Sequence, residues 1–392
     1  MRKVQNNYSE YFYQYKLDHG EDIFTEYKHS SEEHKRELEQ WVIDLVAKVG
    51  EVPVVLPDTA NEDEDLIALS EVDSSSIYDG KCYNITTQGL RTINRFFPEM
   101  YHVEKASGKS VWDSMKDEKF MKRYAKKLLS YNHDALGMRN MFYFCGAGWC
   151  TNFRPSTAKA IYELFGKDTN CKVLDSSAGF GARMTAAHFA KNVSEYVGID
   201  PNTADSCMNL ASFLDSRYST GTKKKVLKMG SEDFTQESFP EYQNYFDLYF
   251  TSPPYFNTEK YSEADTQSYK KFPTYYGWLD GFYRNTIYNA CSALKKDGIF
   301  IINIFEKVDS IKKITQMFLA DCGWYIVKSD KMLMRSLPGN TVVNGEVVKR
   351  DVHVTEDGNS EPIWYAKHCS ELHRLNKFSD EQYQKALDRI TV

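Results

Sequence analysis

The chain has 392 residues, with 49 Lys+Arg against 55 Asp+Glu for a net charge of −6, and is 42 % apolar and 27 % charged. This balance excludes a disordered or fibrous chain and a polyanion-binding coat, while leaving room for a local basic groove. The length accommodates a large core and a further domain. Eight cysteines without a C-x-x-C pair read as reduced thiols, with neither a disulfide framework nor a metal site expected. The first residues, Met1 to Tyr8, lack an apolar signal region, and the longest apolar run, Gly298 to Phe305, is only a strand's length. The expectation is a soluble cytoplasmic chain with no membrane partner.

Residues 1–50 carry one clear helix. Ser31 caps it, Glu32 and Glu33 suit its first turn, and Leu38, Trp41, Val42 and Leu45 recur at helical spacing. From Asp58 to Asp73 acids dominate, which reads as a solvated loop and helix face. Between residues 102 and 128 the sign reverses. Lys105, Lys109, Lys116, Lys119, Lys122, Arg123, Lys126 and Lys127 outnumber Glu104, Asp113, Asp117 and Glu118. Phe120, Met121, Tyr124, Leu128 and Leu129 give this segment an apolar stripe. An amphipathic helix is the plainer reading and a surface that meets phosphates the sharper one.

From about residue 150, short β-branched runs alternate with helical stretches. The runs are Lys172–Asp175, Tyr196–Asp200, Lys225–Lys228, Phe246–Phe250, Ile299–Phe305, Trp324–Lys328 and Pro362–Lys367. Such alternation predicts an α/β domain built on a doubly wound, mostly parallel, seven-stranded sheet. The last two strands return like a hairpin and form an antiparallel edge. The chain thus divides into a mainly helical region, 1–149, and an α/β domain, 150–392.

Chemistry concentrates at the predicted strand ends. Val173-Leu-Asp-Ser-Ser-Ala-Gly-Phe-Gly-Ala-Arg183 runs from a strand ending at Asp175, through Gly179 and Gly181, into a helix. Glycine at these turns lets a ligand approach the backbone. The loop lacks the Gly-Lys-Ser/Thr ending of a phosphate cradle and the third glycine of the dinucleotide fingerprint, which speaks against a nicotinamide dehydrogenase. Asp200 ends the next strand, where an acid accepts from ribose hydroxyls, and Asp233 follows the third, where an acid accepts from an adenine amine. Phe246 to Phe256 then carries a buried strand into Thr251-Ser252-Pro253-Pro254-Tyr255. Two prolines remove backbone donors and leave acceptors beside an aromatic face, a site shaped for a planar group bearing an amine.

In this combination the sequence resembles S-adenosylmethionine-dependent DNA amino-methyltransferases, the enzymes acting on cytosine N4 or adenine N6. Thr251 to Tyr255 match the catalytic (Asp/Asn/Ser)-Pro-Pro-(Tyr/Phe) motif, Asp175 to Gly181 the cofactor loop, and Asn152-Phe-Arg-Pro155 the segment before it. The order of the two halves resembles the gamma group. The resemblance, over about residues 150–370, implies a Rossmann-like class I methyltransferase fold with S-adenosylmethionine as cofactor. Its cofactor residues would be Phe153, Pro155, Asp175, Ala178, Gly179, Gly181, Arg183, Asp200, Asp233 and Thr251. It implies catalysis by Ser252, Pro253, Pro254 and Tyr255, with the target base against Tyr255 and Phe256. DNA with a flipped-out or single-stranded base is the implied partner, with restriction-modification as the setting; a nucleic-acid or target-recognition role for residues 1–149 is a separate expectation. Ser252 resembles the first residue of the cytosine-N4 enzymes more than that of the adenine-N6 enzymes.

The sequence departs from the family in its cofactor loop, Asp-Ser-Ser-Ala-Gly-Phe-Gly-Ala-Arg, where relatives read Asp-Pro-Phe-Ala-Gly-Ser-Gly-Thr. Arg183 at a helix start opposes the helix dipole unless a carboxylate, the cofactor's or the protein's, compensates. Residues 1–149 and 335–361 fall outside the resemblance. RNA or protein-glutamine amino-methylation, and a non-catalytic module that keeps the fold, stand as alternatives.

Overall fold

The computed structural model describes residues 7–53, 59–105, 108–131, 137–148, 150–256, 259–262, 264–304, 311–333, 341–343, 346–348 and 360–370. Phe305, which closes the predicted fifth strand, Asp58 and most of the tail between 335 and 361 lie outside these residues. The chain forms two compact units. One draws on the described residues of Met1–Asp65, Phe97–Thr151 and Asn257–Glu263, the other on those of Leu66–Phe96, Asn152–Phe256 and Ala264–Val392. The chain therefore passes between the units several times, where the sequence reading has one boundary at 149/150.

The first unit is helical. Helices α1 (Ser9–His19), α2 (Ile23–His29), α3 (Glu32–Val49), α4 (Glu118–Ser130) and α5 (Gly137–Phe144) are its longer elements. The Ser31 hydroxyl caps α3 by accepting from His34 N at 3.3 Å, and Gly50 ends it in the left-handed region with φ +65°. Asp117 caps α4 through Phe120 N at 3.0 Å. The core takes the stripes predicted for α3 and α4: Leu38, Val42 and Leu45 meet Phe120, Met121, Tyr124, Leu128 and Leu129. Tyr124 is fully buried yet satisfied, its hydroxyl donating to the Met138 carbonyl at 3.0 Å.

The second unit carries a sheet of eight strands: β1 (Cys82–Tyr83), β2 (Cys171–Asp175), β3 (Val193–Ile199), β4 (Lys223–Leu227), β5 (Phe246–Thr251), β6 (Leu294–Asn303), β7 (Trp324–Leu333) and β8 (Ser360–His368). Their order across the sheet is β1-β7-β8-β6-β5-β2-β3-β4. Every neighbouring pair is parallel except those of β8, which runs antiparallel to both β6 and β7. Helices α6 (Pro155–Phe165), α7 (Ala182–Phe189), α8 (Ala204–Arg217), α9 (Arg284–Ala293) and α10 (Ile311–Asp321) connect or flank the strands. The predicted doubly wound, Rossmann-like α/β class is therefore what forms.

Two details differ from the sequence reading. The antiparallel strand is internal, because β8 inserts between β6 and β7 instead of closing an edge. The sheet also gains an eighth strand, β1, from a segment whose two residues are too few to show alternation. All six residues of β5 are buried, as expected of a strand covered on both faces. Its one acid, Asp247, is satisfied by Lys172 N at 3.0 Å and Lys295 Nζ at 2.6 Å. No helix among the described residues is long and apolar enough to cross a membrane.

Candidate active site

The site lies at the carboxyl ends of β2, β3, β4 and β5, where an open α/β sheet leaves its binding crevice. Asp175 ends β2 with no exposed surface and gathers four groups. Arg183 Nε donates to its Oδ2 at 2.7 Å and Arg183 Nη2 to its Oδ1 at 3.3 Å. The Tyr196 hydroxyl donates to Oδ2 at 2.7 Å, the Thr251 hydroxyl to Oδ1 at 2.8 Å, and Ser177 N to Oδ1 at 3.1 Å. Arg183 also donates to the Ser177 carbonyl. Burial by itself would lower the Arg183 pKa, but Asp175 outweighs it and holds the guanidinium above its ordinary value. The carboxylate that compensates Arg183 at the start of α7 is thus the protein's own.

The loop between β2 and α7 turns on two left-handed glycines, Gly179 at φ +57° and Gly181 at φ +70°. A Cβ added at Gly179 would meet nothing closer than the Ser177 carbonyl oxygen at 3.7 Å, so the backbone there is open to a ligand. Ala178 is buried and donates from its N to the Ile199 carbonyl at 2.9 Å. The loop is pinned from two sides. The Asn152 side-chain amide donates to the Phe180 carbonyl at 2.8 Å and to Asn94 Oδ1 at 3.0 Å. Asp200 accepts from Gly179 N at 3.0 Å through Oδ2, while its Oδ1 accepts from Asn202 N and Thr203 N, each at 2.9 Å. Burial raises the Asp200 carboxyl above its ordinary value against the pull of these N–H bonds. Asp200 therefore clamps the glycine loop.

Phe153 and Pro155 fall where the sequence expects them. Pro155 opens α6, and the Phe153 ring lies under the Arg183 guanidinium at 5.3 Å and edge-on to Phe250 at 5.4 Å.

After β4 two adjacent acids part company. Asp233 is exposed, with its side chain 57 % accessible and paired to Lys271 Nζ at 2.8 Å. Its neighbour Glu232 is the buried acid, accepting from the same Lys271 at 2.8 Å through Oε1 and leaving Oε2 buried without a hydrogen-bond partner among the described residues. Burial would lower the Lys271 pKa, but the two carboxylates raise it. A buried acceptor lacking a donor costs about 1–3 kcal/mol, so Glu232 Oε2 is a ready receptor for a ligand amine.

The Ser252-Pro253-Pro254-Tyr255 turn leaves the end of β5 next to Asp175, through Thr251. Pro253 is buried; Ser252, Pro254 and Tyr255 are partly so. The Ser252 and Tyr255 hydroxyls are hydrogen-bonded to each other at 3.2 Å. Phe256 adopts φ +50°, a left-handed conformation that costs a bulky side chain on the order of 1–3 kcal/mol. What holds it there is an aromatic bed that sequence reasoning missed: Tyr275 at 5.7 Å and Trp278 at 6.0 Å from the Phe256 ring. The dense Thr274-Tyr-Tyr-Gly-Trp278 run was the available signal. Lys271 carried no such signal, because only tertiary packing brings it to the strand ends.

No family model matches this chain, and no curated protein does. Among solved structures it is similar to the SAM-dependent methyltransferase from Agrobacterium tumefaciens, at 12 % identity over 57 % of this chain and 64 % of that one, TM-score 0.37. It is similar to TrmN from Thermus thermophilus at 13 % identity over 55 % of this chain, TM-score 0.36, and spans about half of TrmN's length, 49 %. It is also similar to an rRNA methylase from Streptococcus thermophilus at 9 % identity over 56 % of this chain and 99 % of that one, TM-score 0.32.

Proposed function

We propose that the protein is an S-adenosylmethionine-dependent methyltransferase that modifies the exocyclic amine of a DNA base, cytosine N4 ahead of adenine N6. The observation that carries the reading is the 2.8 Å bond from Thr251 to Asp175, which ties the amine-shaped turn to the glycine loop as one rigid piece. The residues fit the cofactor. Gly179 offers open backbone, Asp200 a carboxylate at the strand end for ribose, and Glu232 a carboxylate oxygen without a donor among the described residues for the adenine amine. When bound, S-adenosylmethionine supplies an electrophilic methyl group.

The chain's own part is positional. Arg183, Tyr196 and Thr251 fix Asp175 and keep the loop in register, while Phe153 packs beside Arg183. The Ser252 hydroxyl and the Pro253 carbonyl accept the two N–H bonds of the target amine. That draws the nitrogen toward tetrahedral geometry and frees a lone pair otherwise delocalised into the ring. Tyr255 stacks on the base, releasing its hydroxyl contact with Ser252 as it does so, and Phe256 braces it from the aromatic bed. Positioning and preorganised acceptors supply the rate.

Mass spectrometry of nucleosides from DNA, and in parallel from RNA, incubated with protein and cofactor tests this directly. The expected product is a methylated cytosine or adenine from DNA. Ser252→Ala should lower its formation by about 10²–10³-fold, and Tyr255→Ala should lower turnover while sparing cofactor affinity. Methylated nucleosides from RNA alone, or parent rates in both variants, would overturn the assignment.

A further inference from the structure

Helix α4 carries more positive charge than its packing uses. Its inner face, Phe120, Met121, Tyr124, Ala125, Leu128 and Leu129, is buried, and its outer face bears Lys119, Lys122, Arg123, Lys126 and Lys127. Two of these cations have structural work. Arg123 donates to the Cys145 carbonyl and Lys127 to the Phe144 carbonyl at 3.0 Å, closing the carboxyl end of α5. The other three do not. Among the described residues Lys122 meets only Glu118, an exposed pair of the kind that adds little. Lys126 approaches Glu32, which is already paired with Lys35 at 2.9 Å, and Lys119 has no side-chain partner among the described residues.

Lys119, Lys122 and Lys126 follow i, i+3, i+7 spacing, so they form one stripe about 10 Å long on the helix surface. Phe144 flanks the same outer face at its Lys127 edge, where its carbonyl accepts from Lys127 Nζ. Its side chain is 67 % exposed, and Asn140, one turn earlier on α5, is exposed as well. A large aromatic in water at the edge of a cationic helix face is more than the packing of that face requires. It matches a strand whose phosphates meet the lysines and whose unpaired base meets the ring.

We infer that the outer face of α4, together with Phe144, binds single-stranded nucleic acid. A ring standing out at a helix end reaches the face of a base only where that base is not stacked in a duplex. The net charge of −6 confines the attraction to this stripe.

Fluorescence anisotropy of a labelled single-stranded oligonucleotide titrated with the full chain, without cofactor, tests the surface independently of methyl transfer. The triple variant K119E/K122E/K126E should weaken binding and reduce the slope of log K against log salt by about 2. Phe144→Ala should weaken it about 5- to 10-fold and leave the slope unchanged. Unchanged unfolding midpoints keep the comparison fair, since all four side chains are on the surface. Parent affinity in both variants, or equal competition by an abasic strand of the same length, would overturn the inference. If the parent binds the oligonucleotide and transfers no methyl group, the surface stands and the catalytic reading falls. If methyl transfer proceeds and the triple variant binds like the parent, the surface falls alone.

Discussion

Replacing Arg183 by Met isolates the Asp175 junction. The side chain is 5 % exposed and its carboxylate partner is fully buried, so this is a buried ion pair losing one member. Such a loss typically costs about 3–5 kcal/mol, because the remaining charge stays in the protein without its counter-charge. Three neutral donors, from Tyr196, Thr251 and Ser177, would still solvate Asp175, which puts the expected cost near the lower end, about 3 kcal/mol. That corresponds to roughly a hundredfold more of the open form. Hydrogen exchange of the β2 and β5 amides reads that population in the sheet unit by itself. The double variant Arg183→Met/Asp175→Asn removes the stranded charge and should recover at least about 1 kcal/mol relative to Arg183→Met alone. A cost below about 1 kcal/mol, or a double variant worse than the single by the full cost of Asp175→Asn, would refute the junction. Were Arg183 there for a cofactor carboxylate instead, exchange would stay at the parent rate and only cofactor affinity would change.

Asp200 makes a pH-dependent prediction with two opposite signs. Its folded pKa lies above 3.8, so between 3.8 and the raised value the folded chain holds more protons, and this group's contribution to stability grows on acidification. The ionised form is the one that accepts from a ribose. Cofactor affinity by calorimetry should therefore be full at neutral pH and fall as pH drops through the raised value, and Asp200→Asn should flatten that profile. Glu232→Gln should weaken S-adenosylmethionine binding more than Asp233→Asn does, by about 1–3 kcal/mol against a few tenths; the reverse order would return the amine-accepting role to Asp233.

Much of the sheet was legible because it obeys period and punctuation. β5 is a largely apolar run followed by prolines, and the β2 loop announces itself with two glycines that both take positive φ. What was not legible depended on which neighbour a side chain chooses. Asp233 and Glu232 are adjacent acids of equal standing in sequence, and only the fold decides which turns inward. Arg183 looked unfavourable at a helix start because its partner, Asp175, sits across a turn that sequence periodicity does not describe. β8 was recognised as a strand, yet its insertion between β6 and β7 is set by pairing partners far along the chain.

The two-residue strand β1 bears on how this molecule is made. Cys82 and Tyr83 are synthesised well before their partners, Lys331 and Met332 of β7. β2 to β6 can assemble meanwhile, leaving β6 as a long, apolar edge until β8 arrives to cover it. Nascent chains stalled before Ser360 would therefore present that unpaired edge to one another, and aggregation during translation, more than loss of the finished sheet, is the hazard this strand order creates.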